Sequence, residues 1–134
     1  MQRQYSLLVA VLVAGIVSLA CSSSTDPASG EFIIRVDSIS GPNAVSGGIA
    51  AEQSLWGVVG SSGCTAFKEL RTTRVAQRMD VTVIGLRLGG APCFADSLPL
   101  KGVIVRIEPL ILQDFQLVVH EPDGSTLVRR IYGE

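Results

Sequence analysis

Aromatic residues, histidine and charge of one sign are all scarce in this sequence. Phenylalanine, tryptophan and tyrosine make up 5% of the 134 residues, and there is one histidine. So few rings leave little material for a sugar-stacking platform, and one histidine with three cysteines is a poor supply of metal ligands. The 11 Lys and Arg against 12 Asp and Glu argue against electrostatic binding of nucleic acid. We therefore expect no metal, no cofactor and no nucleic-acid partner.

The composition is nevertheless that of a folded chain. Hydrophobic residues make up 47% of the sequence and charged residues 17%, which argues against intrinsic disorder. At about 100–150 residues per domain, the length allows one domain, or one domain with a tail. Part of the hydrophobicity is concentrated at the front, where Met1–Ala20 predicts a signal peptide. Arg3 gives a positive start, and the uncharged run Leu7–Ala20 is too short to span a hydrocarbon core of about 30 Å comfortably as a helix.

The end of this run carries a motif. Val17-Ser18-Leu19-Ala20-Cys21 resembles the lipobox of bacterial lipoprotein precursors, although Ser18 stands where that family usually has leucine. The resemblance implies cleavage before Cys21, acylation of Cys21 and a stable membrane anchor of two or three chains. Ser22 follows the cysteine, and the sorting pattern of some bacteria then implies the outer membrane of the cell envelope. Ordinary secretion after cleavage near Cys21 and an uncleaved N-terminal anchor are the alternatives.

Residues 21–30 are Ser/Thr/Pro/Gly-rich and predict a flexible tether, so the folded domain is expected to span 31–134. In that domain apolar residues recur with a period of two, which is typical of β-strands with one buried face. The alternating runs lie at 32–37, 54–59, 81–84, 103–108 and 115–120. The last run is expected to form a hairpin with Thr126–Tyr132 across Glu121–Gly124, where Pro122 and Gly124 favour a turn. This pattern predicts an all-β sandwich.

Two cysteines remain in the domain, Cys64 and Cys93, 29 residues apart. In an exported chain they predict one disulfide bond between two loop–strand junctions, because each lies beside a Gly-rich turn signal. Closing a loop of that length contributes roughly 3–4 kcal/mol in the chain-entropy picture. The alternative is a reactive thiol, which needs a lowered pKa and a resolving partner.

A second resemblance rests on four segments in order. Gly63-Cys64-x-x-Phe67, Asp80–Gly85, Cys93 and Val118–Gly124 look like the small immunoglobulin-like domains of uncharacterised bacterial envelope lipoproteins. The resemblance implies an immunoglobulin-like antiparallel β-sandwich with one disulfide bond over residues 31–134, and it implies no activity. Trp56 precedes the first cysteine of the pair, unlike the tryptophan of antibody domains, which lies between the two.

A basic cluster is the strongest candidate for surface binding. Lys68, Arg71, Arg74 and Arg78 are interrupted or flanked only by Glu69 and Asp80. They predict contact with an anionic lipid or glycan, against the alternative of a solvated polar strand face. Their spacing fits one face of a short helix, but Thr72, Thr73 and Val75 favour a strand that leads into the next one.

The remaining candidates have structural explanations. His120 is expected to be an exposed histidine at a strand end, although Glu121 and Asp123 stand near it. Trp56 is expected to pack in the core and Tyr132 at an edge. No motif for nucleophilic catalysis is present, so we assign no catalytic residue.

The sequence thus predicts a non-enzymatic, lipid-anchored module of the cell envelope that binds a protein or an anionic glycan or lipid. An inhibitor or accessory subunit of an envelope enzyme is the second hypothesis. It would use the long Gly/Pro-rich loops Ser40–Gly48 and Leu88–Leu100. A small hydrolase that depends on His120 is the third.

Overall fold

The computed structural model describes residues 30–90, 92–108 and 113–134. Every element in these ranges is a β-strand. The strands are β1 (Gly30–Ile33), β2 (Arg35–Ser40), β3 (Ala44–Val45), β4 (Ala51–Ser61), β5 (Thr65–Val75), β6 (Arg78–Arg87), β7 (Ser97–Ile107), β8 (Phe115–His120) and β9 (Thr126–Gly133). The predicted signal peptide at 1–20, Cys21 and the tether up to residue 29 lie outside the described residues. Gly30, which the prediction placed in the tether, begins β1.

The strands form two sheets. In the larger sheet β6 pairs with β5 along one edge and with β1 and β8 along the other, and β9 and then β3 follow β8. The smaller sheet has the order β2-β4-β7. No helix in the described part of the chain is long and apolar enough to cross a membrane.

One hydrophobic core lies between the two sheets. The smaller sheet contributes Leu55 and Ile107, and the larger sheet contributes Val81, Phe115 and Leu117, none of which has measurable solvent exposure. These residues occupy the inward positions of the alternating runs, as the period of two predicted. Alternation of apolar side chains therefore determines which face of each strand is buried.

The N-terminal strand segment belongs to both sheets. β1 pairs with β6 of the larger sheet, and β2, after one intervening residue, pairs with β4 of the smaller sheet. At the crossing point the Ile34 amide donates a hydrogen bond of 2.8 Å to the Val83 carbonyl. Ile34 and Val36 are both buried in the core. Buried side chains therefore continue through the crossing, and one segment of chain pairs with a strand of each sheet.

Two pairings are parallel, and the expectation of purely antiparallel sheets is wrong there. β8 runs parallel to β6, and the short β3 runs parallel to β9. A parallel pair needs a long crossover connection. The connection between β6 and β8 is of this kind, because the chain leaves the larger sheet after β6, forms β7 in the smaller sheet and then returns as β8.

The segment around the basic cluster is a strand, as predicted, and the helical alternative is wrong. β5 ends at Val75, a turn follows at Ala76-Gln77, and β6 begins at Arg78. The predicted β8–β9 hairpin across residues 121–124 is also present. Both long loops are shorter than expected. Ser40 belongs to β2 and Ala44–Val45 form β3, and Ser97–Leu100 already belongs to β7.

Trp56 lies outside the core, so its expected core position is wrong. Its neighbour Leu55 takes the inward position on β4, and Trp56 consequently points outward with 43% of its surface exposed. Its indole Nε1–H donates to Ser40 Oγ at 2.8 Å. The six-membered ring lies beside Gly102, where an added Cβ would come within 3.3 Å of the ring. Tyr132 lies on β9, one strand in from the edge, where it pairs with Ala44 of the edge strand β3 and is 47% exposed.

Candidate binding face

The outward side of the larger sheet carries most of the polar side chains that the sequence singled out. Strand register decides which of them meet. Arg78 of β6 pairs with Gln116 of β8, and Gln116 pairs with Arg130 of β9. Paired residues share a face, so these three side chains form one row across three strands. Asp80 and His120 lie further along β6 and β8 on the same face.

Asp80 is the centre of a small ionic network. Arg78 donates from Nε to Asp80 Oδ2 at 2.9 Å and from Nη2 to Asp80 Oδ1 at 2.6 Å. His120 Nε2 lies 2.8 Å from Asp80 Oδ1. The hydrogen bonds from Arg78, followed by the contact with His120, lower the pKa of Asp80 from 3.8 to about 2. Asp80 is therefore a stable anion at neutral pH that holds both partners in place.

A second network lies on the same sheet. Glu31 of β1 binds Lys68 and Arg71 of β5, the latter at 2.7 Å, so its carboxylate bridges across β6. Arg71 also binds Glu69 at 2.7 Å. Hydrogen bonds from Lys68 and Arg71 lower the pKa of Glu31, and the bond to Glu31 raises the pKa of Arg71. Both cations consequently have carboxylate partners within the domain.

The four cations of the basic cluster do not form one surface. Lys68 and Arg71 reach Glu31, and Arg78 reaches Asp80. Arg74 pairs with inward-facing Met79, and its guanidinium lies 5.1 Å from the centroid of the Phe115 ring. Residues three apart on a strand point to opposite faces, which separates Arg74 from Arg71. Contact with an anionic surface stays a prediction. An anionic lipid or glycan would have to compete with Glu31 and Asp80 for these cations.

A cleft of about 370 Å³ opens at the end of this face. We call it the arginine cleft; it is lined by Gln77, Arg78, Asp114, Gln116 and Arg130. The backbone amide of Gln116 donates to the backbone carbonyl of Gln77 at 2.8 Å, which joins the β5–β6 turn to the start of β8. No sequence motif marks Gln77, Asp114, Gln116 or Arg130 as candidates. The alternation of β8 and β9 places Gln116 and Arg130 on the outward face. It does not predict that they meet Arg78, because that contact depends on the parallel β6–β8 pairing.

The turn beside this cleft has an unusual backbone. Ala76 has a φ of 49°, and in the described part of the chain it is the one residue other than glycine with positive φ. A side chain with a Cβ is disfavoured in this region, and such residues are concentrated at functional sites. The conformation of Ala76 sets where Gln77 and Arg78 enter the cleft.

The opposite end of the domain is held by the cysteine pair. The sulfur atoms of Cys64 and Cys93 lie at disulfide-bonding distance, with the Cα atoms 4.8 Å apart, and join the β4–β5 turn to the β6–β7 connection. Ser62 donates to the Asp96 carbonyl at 2.8 Å, and Phe94 donates to the Ser62 carbonyl at 2.9 Å. This is the bridge between two loops that the sequence predicted.

The braced loop presents an aromatic ring. Phe94 is 57% exposed, and its ring lies against Gly63, where any side chain would collide with it. Gly63 also has a φ of 86°, which favours glycine. The loop therefore holds a large apolar side chain at the surface in a defined position.

His120 lies at the end of β8, as expected, but it is only partly exposed, and it meets neither of its acidic sequence neighbours. Its hydrogen bond goes to Asp80, 40 residues away in sequence, whereas Glu121 accepts a hydrogen bond of 3.2 Å from the Val36 amide and Asp123 accepts from Ser125. Burial raises the pKa of Glu121. Within the described ranges, no group of three or more His, Cys, Asp or Glu side chains is arranged to hold a metal ion.

Comparison with known proteins adds no relative. No family model matches the chain, and no curated protein or solved structure matches it either. The function must therefore be inferred from the fold and from these surfaces.

Proposed function

We propose that this chain is an exported, lipid-anchored, immunoglobulin-like β-sandwich that binds a partner at the cell envelope and performs no catalysis. The observation that carries the proposal is the outer face of the larger sheet. There, charged side chains from three strands and His120 from a fourth are held in fixed positions by one another. Such a pre-ordered polar face loses little conformational entropy when a partner binds.

The cysteine pair supports the envelope compartment. Disulfide bonds form and persist in oxidising environments such as the periplasm or the cell surface. The bond between Cys64 and Cys93 therefore agrees with Met1–Ala20 acting as a signal peptide and Cys21 as the lipidated residue. We place the anchor in the outer membrane because Ser22 follows the cysteine.

The electrostatics of the face favour binding over proton transfer. A general base works best with a pKa near the operating pH. The pKa of Asp80 is lowered to about 2, and its carboxylate is already bound by Arg78 and His120. Asp80 is thus a positioning group for its neighbours, and His120 acts as one of its partners.

The immunoglobulin-like assignment rests on two sheets around one core and on a domain of about 100 residues. The parallel pairing of β6 with β8 departs from the antiparallel sheets of that family. We retain the assignment for the architecture alone.

The intact mass of the protein recovered from bacterial membranes tests the proposal. We expect a mass for residues 21–134 plus acyl chains, with a gain of two hydrogens on reduction. A Cys21→Ser variant should lose the acyl mass and leave the membrane fraction. An unlipidated chain that keeps residues 1–20 and has free thiols at Cys64 and Cys93 would refute both the anchor and the compartment.

The braced loop favours a second candidate, an inhibitor or accessory subunit of an envelope enzyme. Phe94 is exposed on a loop held by a disulfide bond, and a rigid aromatic anchor is a common centre of protein interfaces. A photo-crosslinking residue at position 94, compared with one at Thr73 on the larger sheet, separates the candidates. Adducts with an envelope enzyme from position 94 alone would favour the inhibitor, and adducts from position 73 alone would favour the binding face.

A further inference from the structure

We propose that the arginine cleft binds an acidic sugar, that is, a sugar ring with a carboxylate or phosphate group. The proposal deepens the binding-module function, on which it rests, because it names the class of ligand. It depends on the row formed by Arg78, Gln116 and Arg130.

The row has the correct width for one anionic group. Neighbouring strands lie about 4.8 Å apart, so the two arginine backbones are separated by about 10 Å with Gln116 between them. Two long guanidinium side chains can converge on a single oxyanion across that distance. The side-chain amide of Gln116 adds a neutral donor at the centre of the row.

Both arginines have donors to offer. Arg78 uses Nε and Nη2 for its bonds to Asp80, so its Nη1 is directed away from that pair. Asp80 thereby fixes the orientation of Arg78 before any ligand arrives. Among the described residues, no carboxylate lies within ion-pair distance of Arg130. Planar guanidinium groups bind carboxylate and phosphate in a bidentate manner.

The cleft also contains acceptors, which distinguishes an acidic sugar from a bare anion. The Asp114 carboxylate lines it and would repel an isolated phosphate or acetate ion. Gln77 Oε1 is buried and accepts no hydrogen bond from the described residues. A ligand whose hydroxyl groups donate to Asp114 and Gln77 while its anionic group faces the arginines would satisfy all of these side chains.

Titration of the full chain tests the proposal. The ¹⁵N-labelled protein in zwitterionic detergent micelles would be titrated with glucuronate and with glucose 6-phosphate, at neutral pH and constant ionic strength. Glucose, acetate and inorganic phosphate are the controls. We expect saturable shifts of the arginine Nε–H signals with at least one acidic sugar. The expected dissociation constant is about 1 mM, as fits a small ligand in an open cleft. The sugar that binds more tightly shows whether the natural source carries a carboxylate or a phosphate.

Two variants make the test specific. Arg130→Gln should weaken binding about tenfold, the loss expected for one charge-assisted hydrogen bond. The matched control Arg106→Gln, on the smaller sheet, should leave binding unchanged. Asp114→Asn should weaken binding of the acidic sugar and strengthen binding of inorganic phosphate, because it removes both an acceptor and a negative charge.

Three results would overturn the inference: equal affinity for glucose, equal affinity for inorganic phosphate, or equal effects of Arg130→Gln and Arg106→Gln. If these occur while the mature protein carries acyl chains on Cys21, the ligand class is wrong and the envelope function stands. If the chain is unlipidated but binds the acidic sugar, the envelope function is wrong and the ligand class stands.

Discussion

The larger sheet turns closely paired charged side chains outward beside Val75 and Val128, whereas the smaller sheet turns out Trp56, Val58 and Ile104. The two sheets have the same alternating inward pattern and share one core. Their outer faces differ in how close the charges come, because Glu31–Arg71 and Arg78–Asp80 on the larger sheet are 2.6–2.7 Å apart, whereas the cross-strand pair Glu52–Arg106 on the smaller sheet is 3.8 Å apart. The three apolar side chains of the smaller sheet are 42–56% exposed. Burial thus fixes the fold, and the residues that burial leaves outside give each sheet its own surface.

Joining the two sheets matters most for stability, so the largest effect is expected when their covalent link is removed. The Cys64–Cys93 bond connects the β4–β5 turn with the β6–β7 connection, and both of these segments pass between the sheets. We expect Cys64→Ser with Cys93→Ser to lower the free energy of unfolding by roughly 3–4 kcal/mol. Urea unfolding followed by circular dichroism measures it, with reduced wild-type protein as the control. A loss below about 1 kcal/mol would show that the native contacts alone hold the sheets together.

On the smaller sheet, removing the exposed indole should have a moderate effect that salt does not change. Trp56→Ala loses the ring packing beside Gly102 and the hydrogen bond to Ser40, and we expect a loss of about 1–2 kcal/mol. Trp56→Phe keeps an aromatic ring without the donor and should cost about half as much. Thermal and urea unfolding at low and high salt measure both variants. An effect that disappears at high salt would contradict this apolar explanation.

The corresponding change on the larger sheet should be smaller and sensitive to salt. Glu31→Gln removes the charge that holds Lys68 and Arg71 across β6. We expect a lower unfolding midpoint at low salt and almost no difference at about 1 M salt, where the screening length falls to about 3 Å. Glu52→Gln is the matched control, because Glu52 and Arg106 on the smaller sheet are 3.8 Å apart and well exposed. Equal effects of the two variants would remove the distinction between the faces.

The smallest effect should concern Asp80, and it should disappear in acid. The pKa of Asp80 is about 2 in the fold against an ordinary 3.8, so its contribution is present above about pH 4 and is lost as the pH falls toward 2. Asp80→Asn should therefore flatten the fall of the unfolding midpoint between about pH 4 and pH 2. Thermal unfolding by circular dichroism across this range gives the measurement.

Glu121 provides a control of opposite sign. Burial raises its pKa, so the wild-type protein gains stability as the pH falls through the raised value toward the ordinary 4.5. Glu121→Gln should lose this gain and should leave the acid fall below pH 4 unchanged. If the unfolding midpoint of Asp80→Asn falls with pH below pH 4 as steeply as that of the wild type, the Asp80 network does not contribute to stability.

Much of the architecture could be predicted from local pattern. The period of two identified the strands because a strand with one buried face must alternate, and the signals at Pro122 and Gly124 located the last hairpin. The pairing of Cys64 with Cys93 followed from their being the only two cysteines in the predicted domain. The same alternation should have placed Trp56 outside, since Leu55 and Val59 already occupied the inward positions of β4.

The strand content, the inward face of each strand and the cysteine pair follow from the sequence alone, because each depends on residues close together or on simple counting. Tertiary structure alone decided that Asp80 meets His120, that Glu31 reaches Arg71, and that Arg78, Gln116 and Arg130 share a row. All of these contacts join strands of the larger sheet, and those between β6 and β8 depend on a parallel pairing that no local signal specifies. The candidate binding face is a product of strand register, which is set by how the two sheets bury their core together.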